Sequence, residues 1–397
     1  MSIPAFMPGN VRTLTGGGEI PGRSWWRGET EEIIYVAPPA PGEPPRLLPL
    51  GHPAAYEAGT DLIDAVNTAL LLRKPLLVTG KPGTGKTELA ERIAYEFNLG
   101  AVLRFEAQSL SEANDLFYRF DYIAQLVASK LVESDRARPE DADVMNFVQW
   151  GPLGKAILRS VPGLEQQVSE EARLRSPVRG ALLGMAFSTP TTAPTAPAEM
   201  TRAVQSVVLI DEIDKASRDF PNDLLNGIDR MEFRLRELGS RVVKGAGRDS
   251  PFHPIVIVTS NSERDLPHPF MRRCVFVHIE DPSRELMATI VRKRVFGDSK
   301  LPPEGKDGLP PLYSRLLDLF IDLRDKSELR YPIGTSEMLD LATAAQRRGI
   351  DGHSADATVI ARLIGAVSAI AKHPEDRERV AARLQGLTTP VIKPASA

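Results

Sequence analysis

The sequence has almost no cysteine: Cys274 is the only one among 397 residues. A single thiol excludes an internal disulfide and is typical of proteins in the reducing cytoplasm. No apolar run approaches the roughly 20 residues that a transmembrane helix needs. The first ten residues also lack the basic and then apolar pattern of a secretory signal. We therefore expect a soluble, cytoplasmic protein without a membrane span.

The chain also has no large excess of positive or of negative charge. Lysine and arginine together number 49, aspartate and glutamate 52, and the formal net charge is −3. No overall field therefore attracts the chain to nucleic acid or to a lipid surface. The six histidines are scattered without the spacing of metal ligands, so no zinc site is predicted. The apolar content of 42% is that of an ordinary globular protein.

The most informative stretch is a glycine-rich segment that fits the pattern G-x-x-x-x-G-K-[ST]. Its glycines can adopt backbone angles that turn successive N–H groups toward an anion. Lys86 would bring its charge to the β- and γ-phosphates, and the Thr87 hydroxyl would ligate Mg²⁺. The candidate cofactor-binding residues are Gly80, Lys81, Pro82, Gly83, Thr84, Gly85, Lys86, Thr87 and Glu88.

The residues on either side of this segment support a nucleotide site over a plain glycine turn. Residues 75–79 (PLLVT) are a short apolar run, typical of a strand buried in a parallel sheet. Residues 88–97 are apolar at helical spacing, which predicts a helix that begins near Lys86. The positive end of that helix would face the bound phosphates.

A second motif lies at residues 206–212, where an apolar run ends in Asp211 and Glu212. Ligands of open parallel sheets bind at the carboxyl ends of the strands. Asp211 is predicted to hold Mg²⁺ through water, and Glu212 to polarise the attacking water. An apolar strand that ends in two acids is a weak signal alone. Its combination with the phosphate-binding segment supports the functional interpretation.

Two further segments carry candidate site residues. Residues 255–261 are predicted to be another buried strand with Asn261 at its tip. Asn261 could hydrogen-bond the γ-phosphate and the attacking water, or it could cap a turn. Arg272 and Arg273 then precede a final apolar strand that begins near Val275.

The predicted fold class is α/β: a P-loop, three-layer αβα domain with a parallel sheet, followed by a small helical lid domain. We expect an irregular N-terminal arm over residues 1–50, with one short strand near 32–36. Residues 122–160 are predicted to be helical with a break at residues 151–154, and residues 355–372 are predicted to be helical. The remaining divisions are a nucleotide-binding core (51–281) with a mobile Pro/Thr-rich loop at about 175–203, the lid (282–388) and a tail (389–397).

The order of the motifs resembles that of an AAA+ ATPase: the glycine loop, VVLIDEIDKA, IVIVTSN and LPHPFMRRC, followed by helices. Within that group the chain resembles the MoxR-type branch in three segments, residues 62–70, 151–153 and 259–267. The resemblance covers residues 50–388.

The resemblance implies roles for the candidate residues. Lys86 and Thr87 match the Walker A motif, Asp211 and Glu212 match Walker B, and Asn261 matches sensor 1. The arginine finger would be Arg273, with Arg272 as the alternative. The implied cofactors are ATP and Mg²⁺. Because a finger acts on the nucleotide of a neighbouring subunit, the resemblance also implies a homo-oligomeric ring, commonly a hexamer.

The resemblance further implies a protein client. MoxR-type proteins are associated with partners that carry von Willebrand factor A domains, and some occur in bacterial conflict systems. The chain departs from the family in its lid, where Met338 stands at the position of the sensor-2 arginine. Either a nearby residue such as Arg330 substitutes, or the lid reads the γ-phosphate less directly.

Three functions stay open at this point. The first is an ATP-driven remodeller of a partner protein. The second is a nucleic-acid motor or loader, suggested by basic residues that a solvated hairpin would also explain. The third is a nucleotide-gated scaffold with little turnover. The basic residues are Arg234, Arg236, Arg241, Lys244 and Arg248.

Three smaller expectations concern four residues. Phe117 and Tyr118 could form a pore loop, although core packing is the favoured interpretation. Cys274 is expected to be a buried filler of the core instead of a redox thiol. Tyr56 is a candidate to stack near adenine.

Overall fold

The computed structural model of this protein describes residues 14, 25–27, 33–35, 52–175, 202–297, 307–326 and 329–388. The predicted N-terminal arm, Pro/Thr-rich loop and C-terminal tail lie almost wholly outside these residues, so they stay predictions. Within the arm, Trp25–Arg27 and Ile33–Tyr35 are two short antiparallel strands, which confirms the strand expected near residues 32–36.

The chain divides into two compact units. The first unit comprises Met1–Leu14, Asp64–Thr79 and Ile93–Val277. The second unit comprises Thr15–Ile63, Gly80–Arg92 and His278–Ala397. The domain boundaries expected from the sequence stay predictions.

The strands in the described residues are β1 (Trp25–Arg27), β2 (Ile33–Tyr35), β3 (Leu76–Gly80), β4 (Leu103–Glu106), β5 (Tyr118–Phe120), β6 (Val148–Trp150), β7 (Val207–Asp211), β8 (Glu232–Leu235), β9 (Arg241–Lys244), β10 (Ile255–Ser260) and β11 (Val275–Ile279). The α-helices there are α1 (Thr60–Leu72), α2 (Lys86–Phe97), α3 (Tyr122–Glu133), α4 (Pro152–Arg159), α5 (Leu164–Arg175), α6 (Phe220–Arg230), α7 (His268–Met271), α8 (Arg284–Phe296), α9 (Pro311–Asp325), α10 (Thr335–Arg347), α11 (Ala357–Ile364) and α12 (Pro374–Gln385).

A five-stranded parallel sheet flanked by helices forms the centre of the fold, in the order β11-β3-β10-β7-β4. The pairs β3–β10, β10–β7 and β7–β4 are parallel. This order is not sequential, and parallel neighbours need helical crossovers that cover the faces of the sheet. Every residue of β3 is consequently buried, as the apolar run at residues 75–79 predicts.

The first unit buries both faces of the sheet. Alternate side chains of one strand point to opposite faces. Leu77, on one face, belongs to a large core that also includes Leu153 of α4 and Leu224 of α6. Leu76, on the other face, lines a small cavity with Val66 of α1. Helices therefore lie on both faces of this sheet, which is the predicted three-layer architecture.

The expectation that residues 122–160 are helical is wrong in part. Helix α3 ends at Glu133, and β6 pairs antiparallel with β5 before α4 begins at Pro152. Three-residue strands are too short to show a period, so this pairing is decided by tertiary contacts. The basic residues before β10 lie partly on the hairpin β8–β9, where Arg234 and Lys244 are exposed.

The second unit contains the C-terminal helices and its own apolar core, which includes Leu316, Leu341 and Leu384. The helix expected over residues 355–372 is shorter, since α11 ends at Ile364 and a 3-10 turn follows at Val367–Ala369. Met338 is fully buried in this core. Among the described residues, every helix is too short or too polar to span a bilayer.

Phe117 is held by two glycines in neighbouring helices. An added Cβ at Gly154 would lie 1.9 Å from the Phe117 carbonyl oxygen, and one at Gly227 would lie 2.2 Å from its ring. Both Phe117 and Tyr118 are buried. This confirms the expectation that these residues pack in the core. Cys274 is half-buried against this core, not fully buried as expected, and burial raises the pKa of its thiol to about 12, which disfavours the reactive thiolate.

The close approach at Gly154 makes a testable prediction. We expect Gly154→Ala to lower the free energy of unfolding by about 1–3 kcal/mol through overpacking, although alanine favours a helix more than glycine does. Gly247→Ala is the control, because nothing lies within 4 Å of its added Cβ. Urea unfolding followed by tryptophan fluorescence measures both variants. Equal losses of stability would contradict this packing.

Candidate nucleotide site

The glycine-rich loop of the second unit is folded around a buried lysine. It follows β3 and leads into α2, which begins at Lys86. Gly80, Gly83 and Gly85 all have positive φ angles (152°, 78° and 85°), a region that favours glycine. The Lys86 ammonium donates to the carbonyl oxygens of Gly80 and Lys81, at 2.8 Å each. Its charge therefore lies inside the loop.

Two of these glycines are also required by close neighbours. A Cβ at Gly83 would lie 2.4 Å from the Ser336 hydroxyl oxygen, and one at Gly85 would lie 3.1 Å from the Tyr56 ring. Tyr56 is buried, and burial together with the nearby Glu88 carboxylate raises its pKa well above the usual value. A neutral aromatic ring therefore lies beside the loop, and its stacking near adenine stays a prediction.

Ion pairs connect the loop to the C-terminal part of the second unit. Lys81 pairs with Asp281 at 2.6 Å. Arg294 of α8 binds both carboxylate oxygens of Glu88, with 3.1 Å between Nη1 and Oε1. Sequence reasoning missed Arg294, because it lies 206 residues from Glu88 and no local pattern marks it.

In the first unit, a buried hydroxyl holds the two predicted Walker B acids. Thr259 of β10 is fully buried. Its hydroxyl donates to Asp211 Oδ1 and accepts from the backbone N–H of Glu212 at 2.9 Å. One threonine thus positions both residues through its single donor and its acceptor lone pairs. Thr259 stands in the motif IVIVTSN, but the pattern alone did not indicate this role.

The Glu212 carboxylate has a donor at each oxygen. Asn261 Nδ2 donates to Oε1 at 3.1 Å, and the Lys215 ammonium binds Oε2. The Glu212 backbone is in the left-handed region, with φ 55°. The structure therefore brings Asp211, Glu212 and Asn261 together, as the sequence predicts, and adds Lys215 beside them.

A buried aspartate shapes the turn that carries Asn261. Asp214 accepts the backbone N–H groups of Asn261 (3.1 Å) and Glu263 (3.0 Å). It is almost fully buried, so these bonds also satisfy a carboxylate removed from water. Asn261 therefore points its side chain at Glu212 from a fixed backbone. Sequence reasoning missed Asp214 as well.

The two candidate finger arginines have different surroundings. Arg273 pairs with Asp229 at 2.5 Å and donates to the Pro269 carbonyl oxygen at 3.0 Å. Arg272 is exposed, and its side chain makes no hydrogen bond or ion pair with any residue that the structure describes. Arg272 is thus the more exposed of the two, and Arg273 is the one paired with a carboxylate.

The donors present suit a magnesium nucleotide. Loop N–H groups, an ammonium and a helix N-terminus suit phosphates. Mg²⁺ is usually held by one or two carboxylates together with substrate phosphates and water. Within the described residues no cluster of three or more His, Cys, Asp or Glu side chains could hold a metal ion alone. Thr87 of the second unit and Asp211 of the first each carry oxygen atoms of a kind that binds Mg²⁺.

Comparison with known proteins identifies the family. The model of the AAA domain (dynein-related subfamily) matches residues 75–274, just over half of the chain. This chain belongs to that family. AAA domains are in general ATPase domains, and every candidate site residue named above from Gly80 to Arg273 lies within the matched range.

One solved structure shows a weaker similarity. The S. cerevisiae Hsp104-ADP complex is 18% identical with a TM-score of 0.35, over 66% of this chain and 41% of that chain. The chain thus spans about two fifths of the length of that protein. A similarity at this level supports no argument about activity or partners. No curated protein sequence matches this chain.

The double hydrogen bond of Thr259 can be tested by substitution. Thr259→Val keeps the shape but leaves Asp211 without this donor and the Glu212 N–H without its acceptor. We expect the free energy of unfolding to fall by about 1–3 kcal/mol. Thr259→Ser, which keeps the hydroxyl, should lose less. Chemical denaturation measures both. A valine variant as stable as the serine variant would contradict this role.

Proposed function

We propose that this chain is a magnesium-dependent ATPase of the AAA+ class. The observation that carries the proposal is the Glu212 carboxylate, held between Asn261 and Lys215 beside Asp211. The buried Lys86 inside a glycine loop supports it further. Membership of the AAA domain family is consistent with both.

Each residue has a proposed role. The N–H groups of residues 80–87 and the Lys86 ammonium bind the phosphates of ATP. Thr87 and Asp211 hold Mg²⁺, which when bound neutralises charge on the phosphate oxygens. Glu212 orients and polarises the attacking water, and Asn261 keeps Glu212 and the water in place.

We propose that Arg272 acts on the nucleotide of a neighbouring subunit. The sequence favoured Arg273, but the ion pair with Asp229 occupies that side chain within its own subunit. Arg272 is exposed, and no ion pair with a described residue has to break before it can act on the neighbouring subunit. This assignment implies a ring, for which a hexamer is the family expectation.

We propose that this lid senses the γ-phosphate less directly than a lid with a sensor-2 arginine would. Met338 is buried in the apolar core. Arg330 bonds His373 through its guanidinium at 2.9 Å, and its backbone N–H bonds Asp376. Arg330, the candidate substitute, is therefore engaged elsewhere in the second unit.

The last part of the proposal concerns the client protein. We propose that the ring remodels a partner protein, as MoxR-type ATPases do. The von Willebrand factor A partner and the role in bacterial conflict rest on the resemblance of residues 62–70, 151–153 and 259–267 alone.

Two variants test the ATPase proposal. Lys86→Ala should lose both nucleotide binding and turnover, because the loop loses its only buried cation for the phosphates. Glu212→Gln should bind ATP with wild-type affinity but hydrolyse it at least about 100-fold more slowly. Steady-state phosphate release and equilibrium binding of a fluorescent ATP analogue measure these effects. Wild-type turnover in either variant would contradict the proposal.

A mixing experiment tests the finger. Arg272→Ala should lower turnover by about 10³-fold or more, because an arginine supplied in trans is worth about 10³–10⁵ in rate. Adding inactive Glu212→Gln subunits should restore part of the activity, since they supply Arg272 to intact sites of the other variant. Arg273→Ala is the comparison. No recovery on mixing would contradict an action between subunits.

A further inference from the structure

Lys215 contacts the Glu212 carboxylate, and the proposed reaction assigns this lysine no role. It ends the 3-10 turn Ile213–Lys215, which directly follows Asp211 at the end of β7 and Glu212. Its ammonium binds Glu212 Oε2, while 45% of the lysine side chain and 27% of the glutamate side chain are exposed. The contact is thus accessible to solvent and not part of the packed core.

The backbone of Glu212 is more tightly fixed than its side chain. A left-handed conformation is uncommon for a residue with a side chain and persists where the surroundings stabilise it. Here the Glu212 N–H is anchored on the Thr259 hydroxyl. Beyond Cα, the carboxylate depends on its two donors, because Asn261 reaches only Oε1. With Asn261 alone, the group could rotate about that single hydrogen bond.

Charges around the carboxylate make a second donor more important. Lys215 interacts electrostatically with Glu263 and Glu106 as well as with Glu212. Glu106 is opposite Asp211 in the register of β4 and β7. Like charges repel, so Glu212 without a nearby cation would be pushed away from this group of acids. Lys215 counters that repulsion at the oxygen that Asn261 leaves open.

We propose that Lys215 is a positioning residue. It fixes the orientation of the Glu212 carboxylate so that this group can polarise the attacking water. The inference rests on the proposed ATPase function for its catalytic consequence. The ion pair itself is a property of the chain without nucleotide. Two donors, one at each oxygen, hold the plane of the carboxylate where a single donor would let it turn.

Kinetics provide the first test. Lys215→Met should lower kcat by about 10- to 100-fold, the cost of a misplaced catalytic group. The KM for ATP and the affinity for nucleotide should stay unchanged, because Lys215 does not belong to the phosphate loop. Lys215→Arg, which keeps a cation within reach, should restore most of kcat. Lys244→Met, which removes an exposed lysine of the hairpin β8–β9, is the control for loss of surface charge.

Nitrogen NMR of the nucleotide-free chain, with ¹⁵N-labelled lysine, provides a test that needs no activity. An ammonium held by a carboxylate exchanges its protons with water slowly enough to be detected, and Lys215→Met assigns the signal. Glu212→Gln should shift or abolish that signal, whereas Glu263→Gln should leave it. A signal that responds to Glu263→Gln and not to Glu212→Gln would overturn the ion pair.

The two tests separate the possible failures. If wild-type protein does not hydrolyse ATP, the proposed function fails and the NMR result still decides whether Lys215 holds Glu212. If ATP is hydrolysed and Glu212→Gln is inactive, but Lys215→Met retains full kcat, the positioning role is wrong. Lower nucleotide affinity in Lys215→Met would overturn it too, since it would indicate a general structural effect.

Discussion

A parallel sheet buried on both faces leaves its polar side chains little room except at the ends of the strands. In this protein β7 and β10 are apolar along nearly their whole length and become polar where they end. Because neighbouring parallel strands end at the same edge, their polar residues meet there without any pattern in the chain between them. The network of Asp211, Glu212, Thr259 and Asn261 follows from this constraint.

Within that network the cost of burying polar groups explains the geometry. Thr259 and Asp214 are removed from water, and each satisfies its hydrogen-bonding capacity on the backbone or side chain of a site residue. A buried group without a partner would cost more free energy than these bonds contribute, so the arrangement has few alternatives. The same bonds that stabilise the fold therefore orient the candidate catalytic groups.

In the second unit, ion pairs and glycines likewise position residues of the candidate site. Glu88 lies in the first turn of a helix that is predicted to bind phosphate, where a free carboxylate would repel the ligand. Arg294 binds both of its oxygens, which neutralises that charge. Gly83 and Gly85 let Ser336 and Tyr56 come closer than any larger residue at those positions would allow.

The sequence by itself determined the strands of the central sheet, the glycine loop, the two acids Asp211 and Glu212 where β7 ends, and Asn261. These signals are local: an apolar run, a glycine spacing, or a polar residue at the end of a strand. It did not reveal the antiparallel pairing of β5 with β6, the pairing of Arg273 with Asp229, or the roles of Thr259, Asp214, Lys215 and Arg294. Apart from Lys215, which lies three residues after Glu212, each of these depends on two segments far apart in the chain. Only folding brings such partners together, because hydrogen bonds and ion pairs depend on distance in space and leave no period in the sequence.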